Sequence, residues 1–288
     1  MALVMVLTAL PLLAKKITAD QVQVSTPVYT PAANFKTRPG RYDYSVTWNG
    51  IPAASIELEL ARQDEDYLIR SQARTAKGVD LVFMLRYESE TVLSAETLKP
   101  KRSYSVTRTN ERKKITELEF CPDGQIISTR ENHRGRVKTL QFDPANFTLD
   151  PYSTGFLALS QNWRVGQSRR FDLFSGKSRY LVTFTAVERT RLTIKGQERP
   201  AMVLVPEVTN LTDPGEDADD KKLRQARIYI SVDQPREILK VSSTLLFGNV
   251  EAELSGFTAT SPPAPVDGRP GYVYPVIAGQ FSNSPVSP

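Results

Sequence analysis

The chain has 288 residues and a formal net charge of +5, from 37 lysines and arginines against 32 aspartates and glutamates. Hydrophobic residues make up 40% of the chain and charged residues 24%, a composition typical of a globular protein. The single cysteine, Cys121, and the single histidine, His133, exclude an internal disulfide, iron–sulfur clusters and zinc sites built on two histidines. We therefore expect no cofactor.

An uncharged apolar run opens the chain at residues 2–14. It is too short to span a bilayer, but it has the length of the apolar region of a secretory signal. Residues 1–19 are therefore predicted to be a signal peptide for export, with a true start that could lie further upstream. The alternative is a buried amino-terminal strand or helix. Residues 20–40 have no periodicity and are predicted to be a linker.

Alternation of apolar and polar residues predicts a single β-rich domain over residues 41–258. Asn49 and Gly50 supply a tight turn between two alternating runs, at 41–48 and 54–61. The first run places on one face Tyr42, Tyr44, Val46 and Trp48. Further strands are predicted at 66–75, 86–95, 101–108, 112–120, 124–130, 136–142, 169–174, 178–187, 190–196, 201–209, 225–232, 236–244 and 247–256.

Two stretches depart from the strand pattern. Residues 77–85 predict a short buried helical turn or connector, and Asp150 followed by Pro151 predicts a helix start, since the two suit the N-cap and the first helical position. There is no strand–helix alternation, so the predicted fold is all-β and mostly antiparallel: a large, strongly curved sheet or open barrel with one or two short helices. Residues 259–288 are predicted to be a disordered, Pro-rich tail.

Positive charge is concentrated in residues 99–140, which hold eleven basic and five acidic residues. At the predicted strand ends and turns, this block could attract lipid head groups or an anionic envelope polymer through Arg108, Arg112, Lys114, Arg134 and Arg136. The alternative is a solvated face or a sheet edge protected against aggregation. Nucleic acid is not an expected partner, because the block lacks stacking aromatic residues and a recognition motif.

No motif identifies an enzyme class. The segment Gly176 to Ser178 resembles the end of a phosphate-binding loop, but the first glycine of that motif is missing. The Gly-x-Ser-x-Gly motif of serine hydrolases does not occur. The acidic loop at 213–220 lacks the residue order of a calcium-binding EF-hand. A hydrolase could use Asp233 or Glu237 as acid or base. Residues 233–236 are equally a hairpin turn, with Arg236 pairing with Asp233 or capping the turn.

Three stretches, at 42–54, at 150–166 and at 228–254, form a distinctive combination. Their characteristic residues are Tyr44, Val46, Trp48, Gly50, Ile51, Asp150, Pro151, Gly166, Ser231, Asp233, Arg236, Gly248, Val250, Ala252 and Leu254. In order and spacing, these stretches together resemble the bacterial envelope family known as domain of unknown function 3108. The sequence departs from the family at Val232 and Leu239, where the family has an aspartate and a proline.

The resemblance implies an exported, β-rich envelope protein without assigned catalytic residues, and a sheet similar to lipoprotein carriers, which hold acyl chains in an apolar concavity. We therefore expect a non-enzymatic periplasmic binding or carrier protein for a hydrophobic or anionic envelope component such as a lipid. Its ligand is expected near Tyr44 and Trp48. The alternatives are an envelope-acting hydrolase and a scaffold protein in a cell-envelope complex.

Overall fold

The computed structural model describes residues 27–110, 112–144, 148–211, 224–245 and 248–259. In this part of the chain, fourteen strands form one antiparallel sheet, accompanied by two helices. The strands are β1 (Gly40–Trp48), β2 (Ile51–Gln63), β3 (Asp66–Thr75), β4 (Leu85–Ser94), β5 (Pro100–Thr109), β6 (Lys113–Phe120), β7 (Ile126–Glu131), β8 (Val137–Phe142), β9 (Ser168–Phe174), β10 (Arg179–Ile194), β11 (Gln197–Asn210), β12 (Arg224–Ser231), β13 (Ile238–Leu245) and β14 (Gly248–Thr258). The helices are α1 (Lys77–Asp80) and α2 (Pro151–Ser160).

The sheet consists of two meanders joined through the pair β1 and β14. Its order is β8-β7-β6-β5-β4-β3-β2-β1-β14-β13-β12-β11-β10-β9. The two edge strands, β8 and β9, are consecutive in the chain but do not pair, so the sheet is not closed. The predicted all-β, mostly antiparallel architecture with short helices is confirmed.

The two ends of the sheet curl toward each other. The ring of Phe142 in β8 stacks on Phe174 in β9, with centroids 5.2 Å apart. Beside them, the Ser128 hydroxyl of β7 donates to the backbone carbonyl of Gly176, 2.7 Å away. These contacts join the edges through side chains instead of a strand ladder, which gives an open barrel with a concave interior.

Helix α2 fills that interior. Its start is the predicted one: Pro151 is the first helical residue, and the Asp150 side chain accepts a hydrogen bond from the Ser153 amide at 2.7 Å. Residues 152–160 are all buried. The segment before the helix is fixed to β9, because the Leu149 amide donates to the Asp172 carbonyl at 2.8 Å. The apolar core therefore lies between the sheet and its own helix.

The first hairpin has the predicted turn but not the full predicted face. Asn49 and Gly50 both have positive φ, 49° and 79°, which suits a type I′ hairpin turn. Tyr42 and Tyr44 are buried. The register with β2 shifts between Val46 and Thr47. Trp48 consequently leaves the buried series and is 46% exposed.

Two further predictions need correction. The connector after β3 contains the predicted helical turn, the short helix α1, but this helix is not buried. The connector extends past the end of the sheet, so no residue of α1 is covered by the core. The two strands predicted at 178–187 and 190–196 are one strand, β10, whose register shifts between Ala186 and Glu188. A β-bulge accounts for the break in alternation, since β11 pairs with β10 on both sides of it.

Part of the predicted linker packs against the sheet. The Val28 amide donates to the Arg170 carbonyl at 2.9 Å, Phe35 contacts the core, and the Gln161 side chain donates to the Thr30 carbonyl at 3.0 Å. The predicted signal peptide, the acidic loop at 213–220 and the tail from residue 260 lie outside the described residues.

Candidate ligand-binding site

A small apolar cavity lies under α2 at the end of the sheet where β1 begins. Its walls come from β1, β2, α2 and the start of β13, and its volume is about 30 Å³. It is lined by Phe35, Thr37, Arg38, Tyr42, Tyr44, Leu58, Leu60, Gly155, Phe156, Leu159, Arg236, Glu237 and Ile238. Tyr44 occupies this site because it pairs with Ile56 on one side and Leu254 on the other, near the middle of the curved sheet.

An ion cluster borders the cavity. The Glu237 side chain is only 2% exposed and accepts hydrogen bonds from the guanidinium groups of Arg38 and Arg199, the latter at 2.9 Å. The Glu237 amide is also bonded to the Ser231 hydroxyl, at 2.9 Å. Since each carboxylate oxygen has an arginine partner, the cluster offsets the cost of burying this charge.

The two tyrosines of the cavity have their hydroxyl groups bonded to backbone. Tyr42 donates to the Arg38 carbonyl at 2.6 Å, and Tyr44 donates to the Ile238 carbonyl at 3.1 Å. Burial, with the Glu237 charge nearby, raises the pKa of Tyr42 to about 12, and burial raises the pKa of Tyr44 as well. Both remain neutral at physiological pH, so these hydroxyl groups fix the site and carry no charge.

A wider groove adjoins the cavity and differs from it in charge. It has a volume of about 230 Å³ and is lined by Asn162, Trp163, Arg164, Arg189, Met202, Ile230, Ser231, Val232 and Arg236. All its charged lining residues are arginines. Trp163 forms a fixed wall, since it is buried and its indole NH donates to the Ala158 carbonyl at 2.8 Å. We call this feature the arginine groove.

Arg236 lines both the cavity and the arginine groove. Its guanidinium group donates to the carbonyls of Leu159, at 3.2 Å, and Gln161, and to the Asn162 side chain at 3.0 Å. It therefore holds the carboxyl end of α2. The predicted pairing with Asp233 is wrong: Asp233 is exposed, while Arg236 turns toward α2, whose terminal carbonyls lack helical partners.

The other family-motif residues of the first hairpin lie at the opposite end of β1. A Cβ on Gly248 would fall 2.2 Å from Asn49 Oδ1, and this oxygen accepts a hydrogen bond from the Asn249 amide at 2.8 Å. Trp48 and Gly50 belong to the same turn region. Gly248, like Asp150 and Pro151 at the start of α2, has a structural role that is evident from its surroundings.

The basic block also lies away from the cavity. Arg108, near the end of β5, approaches Glu88 at 3.7 Å, and Arg112, Arg134 and Arg136 are exposed in turns at the same end of the sheet as Trp48. Lys114 is exposed in β6, where its partly desolvated amine, close to Arg130 and Lys177, has a lowered pKa. The structure thus separates the predicted ligand residues into two regions.

The single histidine and the single cysteine offer little chemistry. His133 is exposed in the turn after β7. Desolvation, with Glu119 and Asp123 nearby, raises the pKa of the Cys121 thiol, which disfavours the nucleophilic thiolate. Within the described ranges, no group of three or more His, Cys, Asp or Glu side chains is placed to hold a metal ion. The same ranges contain no helix of sufficient length and apolarity to cross a bilayer.

Sequence reasoning missed most of the charged groups of the site. Arg38 was part of the predicted linker, and Arg164, Arg189 and Arg199 belong to no motif. Arg38 and Glu237 are 199 residues apart in the chain, so no local spacing signals their contact. Of these charged groups, only Arg236 and Glu237 lie in a segment that the sequence pattern indicates, 233–237.

Comparison with solved structures shows the fold. A β-barrel-like protein of domain of unknown function DUF1849 from Brucella abortus matches with a TM-score of 0.53 at 12% identity, covering 78% of this chain and 100% of that one. A candidate lipoprotein from Parabacteroides distasonis matches with a TM-score of 0.31 at 5% identity, over 81% of this chain and 100% of that one. The second likeness is too remote to support an argument. No curated protein matches the sequence.

Family membership follows from the sequence itself. Residues 43–255 match the family described as "Protein of unknown function (DUF3108)". The match runs from β1 to β14 and includes α2, the cavity residues from Tyr44 onward and the arginine groove. The chain therefore belongs to the DUF3108 family.

Proposed function

We propose that the protein is a non-enzymatic binding or carrier protein of the bacterial periplasm, and that its ligand is an anionic amphiphile such as a fatty acid or an acidic lipid. The acidic group would bind in the arginine groove and the acyl chain would enter the cavity under α2. Export is inferred from the apolar start of the sequence and from the envelope family that it resembles.

The observation that carries the proposal is the shared position of Arg236. Because this side chain lines both spaces, one ligand can contact the apolar cavity and the arginine groove at once. Arginine suits an acidic head group, since its guanidinium donates two parallel hydrogen bonds to a carboxylate or phosphate. Arg164 and Arg189 are exposed at the groove, so their guanidinium groups can contact a ligand without any rearrangement of the core.

Binding of an acyl chain requires α2 to move. The cavity volume of about 30 Å³ suffices for one or two water molecules, whereas ligand pockets usually measure about 300–1,000 Å³. The amino end of α2 is fixed by its cap and by β9, while Arg236 holds its carboxyl end. An acidic group that takes over the donors of Arg236 would release that end, so head-group binding would favour opening of the cavity.

The geometry favours binding over hydrolysis. Both oxygens of Glu237 accept hydrogen bonds from arginines, so this carboxylate is engaged in structural contacts. Asp233 is exposed on the turn before it.

The test is a titration of the full chain with a fatty acid that carries a fluorophore at its methyl end. We expect saturable binding. The double variant Arg164→Gln, Arg189→Gln should raise the Kd at least about tenfold, because two charge-assisted contacts to the carboxylate are lost. The matched control is Arg191→Gln, an exposed arginine of the same strand, β10, that lies outside the groove.

A second ligand distinguishes the contribution of the head group to the affinity from that of the acyl chain. The corresponding fluorescent fatty alcohol has the same chain without the charge, so it should bind more weakly to the unaltered protein and should not respond to the double substitution. Equal affinities for acid and alcohol would refute a role for the arginine groove. The absence of saturable binding to either ligand would refute the proposed function.

A further inference from the structure

Large apolar side chains are exposed at the end of the sheet opposite the cavity. Leu81 is 88% exposed, Val82 83%, Phe83 50% and Ile51 69%, in addition to Trp48. Trp48 and Ile51 flank the turn between β1 and β2, and residues 81–83 lie in the neighbouring connector between β3 and β4. Single exposed apolar residues are ordinary, but a continuous group of them indicates a contact surface.

Backbone hydrogen bonds make these connections one continuous edge. Ile51 pairs with Trp48 across the first hairpin, and two residues further on the Ala53 carbonyl accepts from the Ala76 amide at 2.8 Å. On the other side of the connector, the Asn110 side chain accepts from the Met84 amide at 2.5 Å and donates to the Val82 carbonyl at 3.4 Å. The apolar group is thus bounded on one side by the turn between β5 and β6.

Basic residues continue this edge beyond Asn110. Together with the apolar residues they form what we call the turn edge, which comprises Trp48, Ile51, Leu81, Val82, Phe83, Arg108, Arg112, Lys113, Arg134 and Arg136. The turn after β7 is shaped by the Asn132 side chain, which accepts from the amides of Arg134, at 2.9 Å, and Arg136, at 3.1 Å.

The acidic residues of this edge are fewer, and two of them are paired. Asp80 is held by the Arg86 guanidinium at 2.5 Å, and Glu88 approaches Arg108 at 3.7 Å. Glu131 ends β7, and Glu111 lies outside the described residues. In the described ranges, Arg112, Lys113, Arg134 and Arg136 form no ion pair, so the described part of this edge retains an excess of positive charge.

We propose that the turn edge docks on the surface of an anionic phospholipid bilayer. Residues 81–83 would enter the boundary between head groups and acyl chains, Trp48 would lie at the level of the head groups, and the arginines and Lys113 would contact lipid phosphates. Apolar tips on separate turns suit a fluid interface, which can enclose each tip. The excess of basic residues selects an anionic surface over a neutral one.

Docking at the turn edge is independent of the proposed ligand site. Tyr42, at the cavity, and Trp48, at the turn edge, are six residues apart on β1, a separation of about 20 Å in an extended strand. A docked molecule would therefore keep the cavity and the arginine groove directed away from the bilayer. Each proposal can fail without the other.

The experiment is flotation of the full chain with two kinds of vesicle, one of phosphatidylcholine and one of equal parts phosphatidylcholine and phosphatidylglycerol. We expect the protein to float mainly with the anionic vesicles, with less binding at high salt. The triple variant Leu81→Ser, Val82→Ser, Phe83→Ser should reduce the bound fraction at least about tenfold. The variant Arg112→Gln, Lys113→Gln should reduce binding to anionic vesicles about tenfold.

Matched controls lie at the other end of the sheet. Val165, in the loop before β9, is 55% exposed, and Val165→Ser should bind vesicles like the unaltered chain. The variant Arg62→Gln, Arg191→Gln removes two exposed charges near turns of that end and should also bind normally. Because all variants keep the apolar run at residues 2–14, any vesicle binding by that run is common to all of them.

Trp48 provides a second measurement. Its exposed indole should shift its fluorescence to shorter wavelength on anionic vesicles, whereas Trp163 is buried and should not respond. Equal flotation of the triple variant and the unaltered chain would overturn the proposal. So would loss of self-association in the triple variant without any vesicle binding, which would assign the edge to a second copy of the chain.

Discussion

At the scale of single residues, the site depends on charged groups that lie far apart in the chain. Glu237 is nearly fully buried, and it remains there because Arg38 and Arg199 provide donors for both of its oxygens. Arg38 also stacks over the ring of Phe257, 3.5 Å from the centroid, which fixes the segment before β1 on the sheet. This cluster therefore joins the segment before β1 to β11, to the residue that precedes β13 and to β14.

Substitution of Glu237 tests this role. Glu237→Gln leaves two guanidinium groups without their anion, and we expect a loss of about 2 kcal/mol in the free energy of unfolding, less than for a fully buried pair because both arginines reach solvent. Urea denaturation measures the loss. The control Glu198→Gln removes an exposed pair with Arg191, for which we expect a change below about 0.5 kcal/mol. Similar losses for both variants would contradict a structural role for the cluster.

At the scale of elements, the start of α2 makes contacts with both meanders of the sheet, one through β4 and the other through β9. The Asp150 carboxylate caps the helix and also accepts from the Thr91 hydroxyl of β4 at 3.2 Å, while Leu149 bridges to Leu173 of β9. Burial raises the pKa of Asp150, and hydrogen bonds from Ser153, Thr91 and Ser103 oppose the rise. Asp150 therefore stabilises the helix as its cap, whereas burial of the charged form of its carboxyl costs free energy.

A dependence of stability on pH follows. A carboxyl whose pKa is higher in the folded chain binds a proton that the unfolded chain has released. The contribution of Asp150 is therefore fully present below the unfolded pKa of about 4 and is lost as pH rises through the folded pKa. Relative to Asp150→Asn, which keeps a capping oxygen without the charge, the unaltered protein should lose stability with rising pH in this window.

The variant Asp150→Ala separates capping from charge. Like Asp150→Asn, this variant has no titrating carboxyl at position 150. It should be about 0.5–2 kcal/mol less stable than Asp150→Asn at every pH because the cap is missing. Urea denaturation across the acid range measures all three proteins. A constant difference between the unaltered chain and Asp150→Asn at all pH values would contradict the raised pKa.

At the scale of the whole molecule, packing between the sheet edges produces the concave interior. Gly176, in the turn between β9 and β10, has φ of +87°, and a Cβ there would fall 2.5 Å from the Thr116 side chain of β6. The close approach of the two edges thus requires a residue without a side chain. Phe142 and Phe174 complete the same contact.

Two alanine substitutions isolate this contact. Gly196 has a similar φ of +76° but nothing near its Cβ position, so Gly196→Ala should cost only the backbone strain, about 1–2 kcal/mol. Gly176→Ala should cost the same strain plus about 1–3 kcal/mol for the collision. Thermal or urea unfolding measures both variants. Equal losses would show that the edges do not meet in solution.

The sequence contained the local features of this fold but not its long-range contacts. Turn chemistry at Asn49 and Gly50 and the cap at Asp150 specify conformation within a few residues, so both were predictable. The position of α2 inside the sheet, the arginines around Glu237 and the contact of Gly176 with β6 depend on the curvature of the whole sheet. Residues 81–83 are exposed although their apolar character alone predicts burial, because their surroundings also depend on the shape of the whole sheet.

The most direct test of the central claim, that the arginine groove and the cavity hold an anionic amphiphile, is native mass spectrometry of the full chain purified gently from cells that make it. The account predicts an added mass that organic solvent extracts as a lipid or fatty acid with an acidic head group. This mass should be much reduced in Arg164→Gln, Arg189→Gln and retained in Arg191→Gln. A bare chain in every preparation, or a bound mass that is indifferent to the groove arginines, would contradict the account.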